Sequence, residues 1–465
     1  MKPSMLEAVE TARGAPPAPA QRRTRSPALA VAGELARAGA DALLLAPRTA
    51  LFLARAPTLR AAVRADLAER RAVEDAPPPR ALPARPLRLF LASAEPSGER
   101  HAVHLAQALR AELARAGAPP PEILALGGER TRALGIETVG DPLERAAMGA
   151  DPLRSLPFYA SLLARTAARL EAFRPDACVP VDSPALHVPL LRIARGQGLR
   201  TAHFVAPQYW GWAPWRVDGY RRVVEHALAI LPFEPAWFAR HGVRASFVGH
   251  PELEAGLAAP LPDEQRAGLV LLPGSRSGVI ARNLPWMLAA AAELRTRLPG
   301  LEVVLPHDRA DRRAQLEDGL RAAGATGWVR LALGDMHGEL AGARAALSVS
   351  GTILIDLLQH RLPAAVIYRL GSRLAAWAAP HALTVPWFSS VNLLAGRPVY
   401  FEACFRGQGP RAEVVAYLER ALTQPAWCAE TRAALDDVAA RLGPPGAVER
   451  AARHVLALAS GGAGR

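Results

Sequence analysis

After residue 86 the chain settles into one texture, in which short apolar runs are each closed by a small-residue loop and followed by a segment of helical period. That alternation dictates parallel strands joined by crossover helices. A parallel strand covered on both faces reads as a continuous apolar run, and its return connection is usually a helix. The runs Leu87–Ala94, Glu122–Leu126, Ala177–Val181, Thr201–Val205 and Ala227–Leu231 predict one sheet, with helices over Gly98–Gly117 and Ser155–Phe173. The segment Gly249–Ala255 reads as a crossing. Beyond it Gly268–Leu272, Leu301–Leu305, Val329–Leu333, Ala345–Val349 and Ala364–Tyr368 predict a second sheet. The expected fold class is α/β. Two Rossmann-like domains, residues 87–255 and 256–465 with helices at the end of the second, face each other across a cleft.

Residues 1–86 have a different composition, rich in Pro, Ala and Arg. Residues 1–26 read as disordered, residues 27–72 as helical runs broken near Pro47 and Pro57, and the segment from Asp75 to Pro86 as a linker. Fourteen basic against eight acidic residues give this extension a surplus of six positive charges within a total of +13. It reads either as a helical hairpin packed on the main body or a partner, or as an arginine-bearing helix lying on anionic lipid. The stretch Ala40–Ala54 is too short and too interrupted, by Asp41, Pro47 and Arg48, to span a bilayer. No secretory signal is evident, and three scattered cysteines argue against a disulfide framework or a zinc site. The expected location is cytoplasmic. Positive charge alone permits nucleic acid, but no recognised module supports it.

Ligands of open α/β sheets bind where loops leave the carboxyl ends of the strands. The first such loop, Ala94-Glu95-Pro96-Ser97-Gly98-Glu99, offers a carboxylate at Glu95 and, at Ser97 and Gly98, backbone N–H groups opening a helix. The loop after Ala177–Val181 offers Asp182, which either takes a proton from an attacking hydroxyl or simply caps the next helix. The loop after Gly268–Leu272 offers Gly274, Ser275 and Arg276, a cradle for a diphosphate with a guanidinium to meet the charge of its departure. With no Asp-x-Asp pair in view, no metal and no cofactor are expected. Ser350, Gly351 and Thr352 open another helix, with Asp356 one turn inside to bond a ribose hydroxyl or complement the helix dipole. Asn392 and Arg397 occupy a further loop. The run Tyr209–Arg216 carries Trp210, Trp212 and Trp215, which cannot all pack inward from one helix and therefore suit an acyl lining or an interfacial patch. His203, His250 and His337 read as structural.

The ordered set of loops resembles the lipid-A-disaccharide synthase family of inverting GT-B glycosyltransferases. It comprises residues 94–99, Gly-Gly-Glu-Arg at 127–130, Met148-Gly149, Val-Asp-Ser-Pro at 181–184 and Ala-Pro-Gln-Tyr-Trp-Gly-Trp at 206–212. It continues through Leu-Pro-Phe-Glu-Pro at 231–235, Phe-Val-Gly-His-Pro at 247–251, Leu-Pro-Gly-Ser-Arg at 272–276, Ser-Gly-Thr at 350–352 and Asn-Leu-Leu-Ala-Gly-Arg at 392–397. The resemblance implies transfer of diacylglucosamine from its UDP donor to 2,3-diacylglucosamine 1-phosphate, giving the β-1′,6-linked disaccharide 1-phosphate of lipid A and UDP. It implies Asp182 as base, Glu95 and Arg276 as further catalytic residues, and Asn392 and Arg397 at positions tied to activity. It also implies peripheral contact with the inner leaflet and, by family analogy, a homodimer. The chain departs from the family pattern at Ala94, Pro96, Glu99, Ala213, Val279 and Asp356, which leaves acyl specificity open. Another UDP-sugar transferase or epimerase on the same scaffold, or a catalytically impaired lipid-binding relative, are the alternatives.

Overall fold

A computed structural model describes residues 27–69, 71–77, 82–143, 152–254, 261–371 and 383–461. Met148, Gly149, Ala255 and the first 26 residues lie outside that set. The first domain carries β1 (Arg88–Ala92), β2 (Glu122–Leu126), β3 (Glu137–Gly140), β4 (Ala177–Pro180), β5 (Ala202–Phe204), β6 (His226–Ala229) and β7 (Ala245–Phe247). Its strands run β3-β2-β1-β4 and β5-β6-β7. Parallel bridges Cys178–Thr201 and Val181–Phe204 join the two groups into one sheet. The second domain carries β8 (Leu269–Leu272), β9 (Val303–His307), β10 (Val329–Leu333), β11 (Ala345–Val349), β12 (Ala364–Arg369) and β13 (Phe401–Phe405), in the order β10-β9-β8-β11-β12-β13. Every pairing is parallel. Both sheets therefore reverse their strand order once, between β1 and β4 in the first and between β8 and β11 in the second. Such a reversal opens a crevice at the carboxyl edge of the sheet.

Central strands are the ones the apolar pattern announces. β4 and β8 are buried along their whole length, whereas the edge strands β3, β10 and β13 are largely half-exposed. One apolar cluster continues from the first domain (Leu89, Leu105, Tyr220) into the second (Leu354, Leu357, Leu393) through Leu435, Leu442, Val448 and Val455. That continuity comes from the end of the chain. The helix Pro425–Arg441 packs on the second domain, and a bend at Gly443 and Gly446, both at positive φ, turns the chain back. The helix Ala447–Ser460 then lies along Pro96–Arg115 of the first domain. Arg450 fixes the return by donating to the carbonyls of Val248 (2.7 Å), Pro445 (2.9 Å) and Pro444 (2.7 Å). Residues 447–460 thus have the partners of their buried face in the first domain.

The extension is two consecutive helices seated on the main body, Pro27–Leu43 and Leu45–Ala68, joined through a helical Leu44 with Leu44 N donating to Ala40 O (2.9 Å) and Arg48 N to Leu44 O (3.0 Å). The junction falls at Leu44, not near Pro47 or Pro57. Pro47 stands in a first turn, where its absent N–H has no partner to lose, and Pro57 releases only the carbonyl of exposed Leu53. Glu34 pairs with Arg192, Asp66 with Arg240, and the Phe52 ring meets Trp215 at 5.3 Å. Residues 71–77 are bound as well, since Glu74 N donates to Phe247 O (2.9 Å) at the edge strand β7.

Candidate active site

Parallel pairing of β1 with β4 puts the Glu95 and Asp182 loops side by side at the first reversal. Pairing of β8 with β11 does the same for the Gly274 and Ser350 loops at the second. The helix Pro96–Arg115 starts close against β4 because residue 98 is glycine; a Cβ there would stand 3.3 Å from Val181 O and 3.8 Å from Asp182 Cβ. Glu95 precedes this helix without capping it by its side chain. Its carboxylate reaches across the cleft to Arg276, with Nη2 to Oε2 at 2.7 Å. Ser97 is half-buried at the opening of the same helix.

Asp182 and Ser183 both adopt left-handed backbone, φ +58° and +46°. Two adjacent non-glycine residues in that region store strain, which persists only where surroundings hold it. Here the Asp182 carbonyl accepts from His187 Nδ1 (2.5 Å) and His203 Nε2 (2.9 Å). Burial holds both imidazoles neutral, pushing His187 down to about 3 and His203 to about 4, so each keeps one N–H to donate. The Asp182 carboxylate feels the charges of Glu95 and Arg276 from the two sides of the cleft. Burial raises its pKa above the usual carboxylate value; the Ser183 amide opposes this and the charge of Glu95 adds to it. A carboxylate of raised basicity at a strained turn is suited to accept a proton.

Across the cleft, Gly274 has φ +100°, and a Cβ would lie 2.7 Å from Val279 Cγ1. His307 Nε2 bonds its carbonyl at 3.3 Å. The loop delivers Ser275 and Arg276, both exposed, to the start of the 21-residue helix Ser277–Arg297, whose first turn no side chain caps. The helix Ile353–Gln359 also begins uncapped behind Gly351 and Thr352, both exposed, while Ser350 Oγ donates to Phe388 O at 3.4 Å. Uncapped N–H groups beside a guanidinium form an anion cradle. Asp356 is half-buried one turn inside. Burial first, then the charges of Glu252 and Asp308, push it up to about 7 against the opposing pull of Arg100. Glu252 in turn pairs with Arg100 and lies 3.4 Å from His101 Nε2. Burial alone would raise Glu252, but the His101 bond and the Arg100 charge bring it down to about 2.

Other expected ligand contacts find different work. Asn392 is buried and fully engaged: its Nδ2 donates to Tyr400 O (2.9 Å) and Glu402 Oε2 (3.0 Å), and its Oδ1 accepts from Val399 N and Tyr400 N (2.8 Å each). It shapes the loop and has no bond left for a ligand. Arg397 is exposed in the turn behind Gly396. Trp210 does not line an open surface either. It is buried, edge-on to Phe233 at 4.8 Å, with Nε1 donating to Glu234 Oε1 at 3.1 Å. A four-residue helix and a following 3-10 turn take Tyr209 and Trp210 inward and leave Trp212 exposed, with Arg216 over its ring. Sequence reasoning gave no role to Glu234, Glu252, His187 or the His203 contact. Leu-Pro-Phe-Glu-Pro and Gly-His-Pro-Glu were visible signals for the first two. Glu99, a departure from the family pattern, accepts from Gly128 N (2.7 Å), Thr131 N (3.1 Å) and Thr131 Oγ1 (3.0 Å), so the longer carboxylate ties the first loop to the Gly-Gly-Glu-Arg turn. Among the described residues, no group of three or more His, Cys, Asp or Glu could hold a metal ion.

The family model described as lipid-A-disaccharide synthetase matches residues 89–424. A lipid-A-disaccharide synthase of Myxococcus xanthus is 33% identical over 387 residues, covering 80% of this chain and 98% of that protein. One from Sodalis glossinidius is 34% identical over 388 residues, covering 81% and 99%. Among solved structures, a putative UDP-N-acetylglucosamine 2-epimerase of Listeria monocytogenes aligns with a TM-score of 0.52 at 11% identity, over 78% of this chain and 94% of its own. The UDP co-structure of MnaA from S. aureus aligns with a TM-score of 0.53 at 11% identity, over 79% and 96%. At such identity these structures bear on the fold alone, which is the two-domain GT-B arrangement.

Proposed function

The chain belongs to the lipid-A-disaccharide synthetase family, and from that premise we propose how its cleft performs the transfer. The donor is UDP-2,3-diacylglucosamine and the acceptor 2,3-diacylglucosamine 1-phosphate. The acceptor 6-hydroxyl attacks the anomeric carbon of the donor. As the new glycosidic bond forms, the bond from that carbon to the diphosphate breaks, UDP leaves with the electron pair, and Asp182 takes the hydroxyl proton. Arg276 and the first N–H groups of Ser277–Arg297 meet the charge growing on the diphosphate. Glu95 holds Arg276 over the cleft until the diphosphate takes its place. Supporting this reading is one observation above the rest: Asp182, Glu95 and Arg276, far apart in the chain, converge at the facing reversals of two sheets. The enzyme works at the inner leaflet, where both glycolipids reside.

Purified protein given both substrates should release UDP and disaccharide 1-phosphate in equal amounts. Release of neither, or isomerised UDP-sugar in place of disaccharide, refutes this function.

Asp356 adds a pH signature. With its carboxyl near 7, it is neutral in mildly acidic solution and ionised above neutrality. Ionisation sets a negative charge beside the bound donor, whose diphosphate diester does not titrate there. KM for the UDP-sugar should rise roughly three- to fourfold between pH 6 and 8, as expected for about 1 kcal/mol of water-screened repulsion switched on by a group titrating near the middle of that range. Asp356→Asn should hold KM flat over that range. A wild-type KM independent of pH removes Asp356 from the donor site.

A further inference from the structure

Glu252 has no part in the chemistry described so far, yet it stands where the two half-sites are joined. It follows Phe-Val-Gly-His-Pro in the 3-10 turn Pro251–Glu254, on the crossing from the first domain to the second. The residue is only 5% exposed, and a carboxylate is kept in an interior where cations and hydrogen bonds answer its charge. Its Oε1 accepts from Arg100 and lies 3.4 Å from His101 Nε2, both on the helix Pro96–Arg115 of the first domain. Glu252 N donates to His250 Nδ1 at 3.3 Å, and burial holds that imidazole neutral by bringing it down to about 4. The Glu252 carbonyl accepts from Gln359 Nε2 of the second domain, also at 3.3 Å. One residue thus bonds the first domain with its side chain and the second with its backbone.

The two helices it joins both open at the cleft. Arg100 and His101 follow Gly98 by roughly 3–5 Å along the helix axis, and Gly98 is where that helix packs against Asp182. The His101 ring lies 6.5 Å from that of Phe204, whose carbonyl accepts from Asp182 N at 2.9 Å. On the other side Gln359 ends the helix Ile353–Gln359, which carries Asp356. Electrostatics follow the same path. His101 is among the groups acting on Asp182. Beside burial, the charges of Glu252, Arg100 and Asp308 act on Asp356.

We propose that Glu252 is a positioning residue of the transfer, holding the helix beside the base Asp182 and the helix of Asp356 in one fixed relation. The inference rests on the function proposed above. Glu252 acts through Arg100, His101 and Gln359 and needs no contact with either substrate. Its reach and its charge do separate work. The reach sets where Arg100 and His101 stand. Burial works against the charge, but the His101 bond and Arg100 hold the carboxyl at about 2, so it stays ionised and disfavours a second negative charge on Asp356.

Two conservative variants divide these properties. Glu252→Asp keeps the charge and withdraws the carboxylate from Arg100 and His101 by one methylene. Its kcat should fall about tenfold, since misplacement by about an ångström costs up to about a hundredfold, while the midpoint of donor KM against pH stays at the wild-type value. Glu252→Gln keeps the reach and removes the charge. With that negative charge gone and Arg100 still positive, Asp356 ionises more readily, so the midpoint should move toward acid by about one pH unit. Steady-state kinetics of the full chain between pH 5 and 8.5 read both effects. Calorimetric titration with UDP-2,3-diacylglucosamine reads the midpoint without turnover, and thermal unfolding checks that each variant is folded; if one is not, the other decides by its own readout. Wild-type protein that shows the midpoint in donor binding yet forms no disaccharide refutes the function and leaves the coupling of Glu252 to Asp356 standing. Glu252→Asp with wild-type kcat, or Glu252→Gln with an unmoved midpoint, overturns the proposal.

Discussion

Asp182→Asn is expected to lower kcat by about a thousandfold, within the range for loss of a positioned proton acceptor, and to leave the fold and the donor KM nearly unchanged. Asparagine tolerates left-handed backbone better than most residues, so φ +58° does not have to relax. It also keeps the backbone carbonyl that His187 and His203 hold. The substitution therefore removes basicity and little else. Burial raises the Asp182 pKa, so the wild-type rate should fall in acid as the carboxylate takes up its proton, beginning at a higher pH than an ordinary aspartate would give. In the variant that acid limb should vanish from the residual rate. Steady-state kinetics of both proteins between pH 4 and 8, with circular dichroism as the check on folding, measures both effects. Residual turnover above a tenth of wild type would move the base elsewhere, with Glu95, the carboxylate whose charge acts on Asp182, the first candidate.

Glu234→Ala should produce the largest loss of stability of any single truncation near the cleft. The carboxylate is fully buried and accepts from Ile230 N and Leu231 N, both at 2.9 Å, and from Trp210 Nε1 at 3.1 Å. Alanine leaves those N–H groups facing an apolar core of Phe233, Trp237 and Phe238. A buried group abandoned by its partner carries its full desolvation penalty, and several together amount to about 4 kcal/mol. Trp210 also loses the bond that turns it inward, and its backbone carbonyl is the acceptor for Thr384 of the second domain. Urea unfolding followed by tryptophan fluorescence measures the loss. A shift below 1 kcal/mol would mean that water enters the site, and Glu234→Gln, which retains one acceptor oxygen, should fall between the two proteins.

The legible part of the fold was mostly its centre. Glu122–Leu126 and Ala345–Val349 coincide with the interior strands β2 and β11, and the run Val329–Leu333 with the edge strand β10, because an apolar run bounded by turns has few alternatives. The strands without a sequence signal were β3, β7 and β13, each on an edge of its sheet. β3 and β13 are half-exposed for most of their length and β7 has only three residues, so none supplies a continuous apolar run. The candidate site divides along similar lines. Glu95, Asp182, Gly274 and Arg276 could be found because each follows a strand. The meeting of Glu252 with Arg100, 152 residues apart in the chain, could not. Neither could the grip of two histidines on the Asp182 carbonyl, since a backbone twist leaves no mark on side-chain periodicity. Asn392 illustrates the converse: its place in the ordered motifs was visible, but only the bonds to residues 399–402 show that it builds the loop.

The returning helix Ala447–Ser460 also sets a schedule for synthesis. It covers Pro96–Arg115, and the contact of Arg453 with Glu112 spans 341 residues of chain. Translation at about 5–20 residues per second separates those partners by roughly 20–70 s. During that interval the first sheet has emerged from the ribosome with one helical face uncovered. The amino-terminal domain is thus made first and finished last, and the nascent chain passes through a stage whose exposed surface is of the kind that chaperones bind. A ribosome that stalls after the second domain but short of residue 447 leaves both sheets complete and the seam between them open.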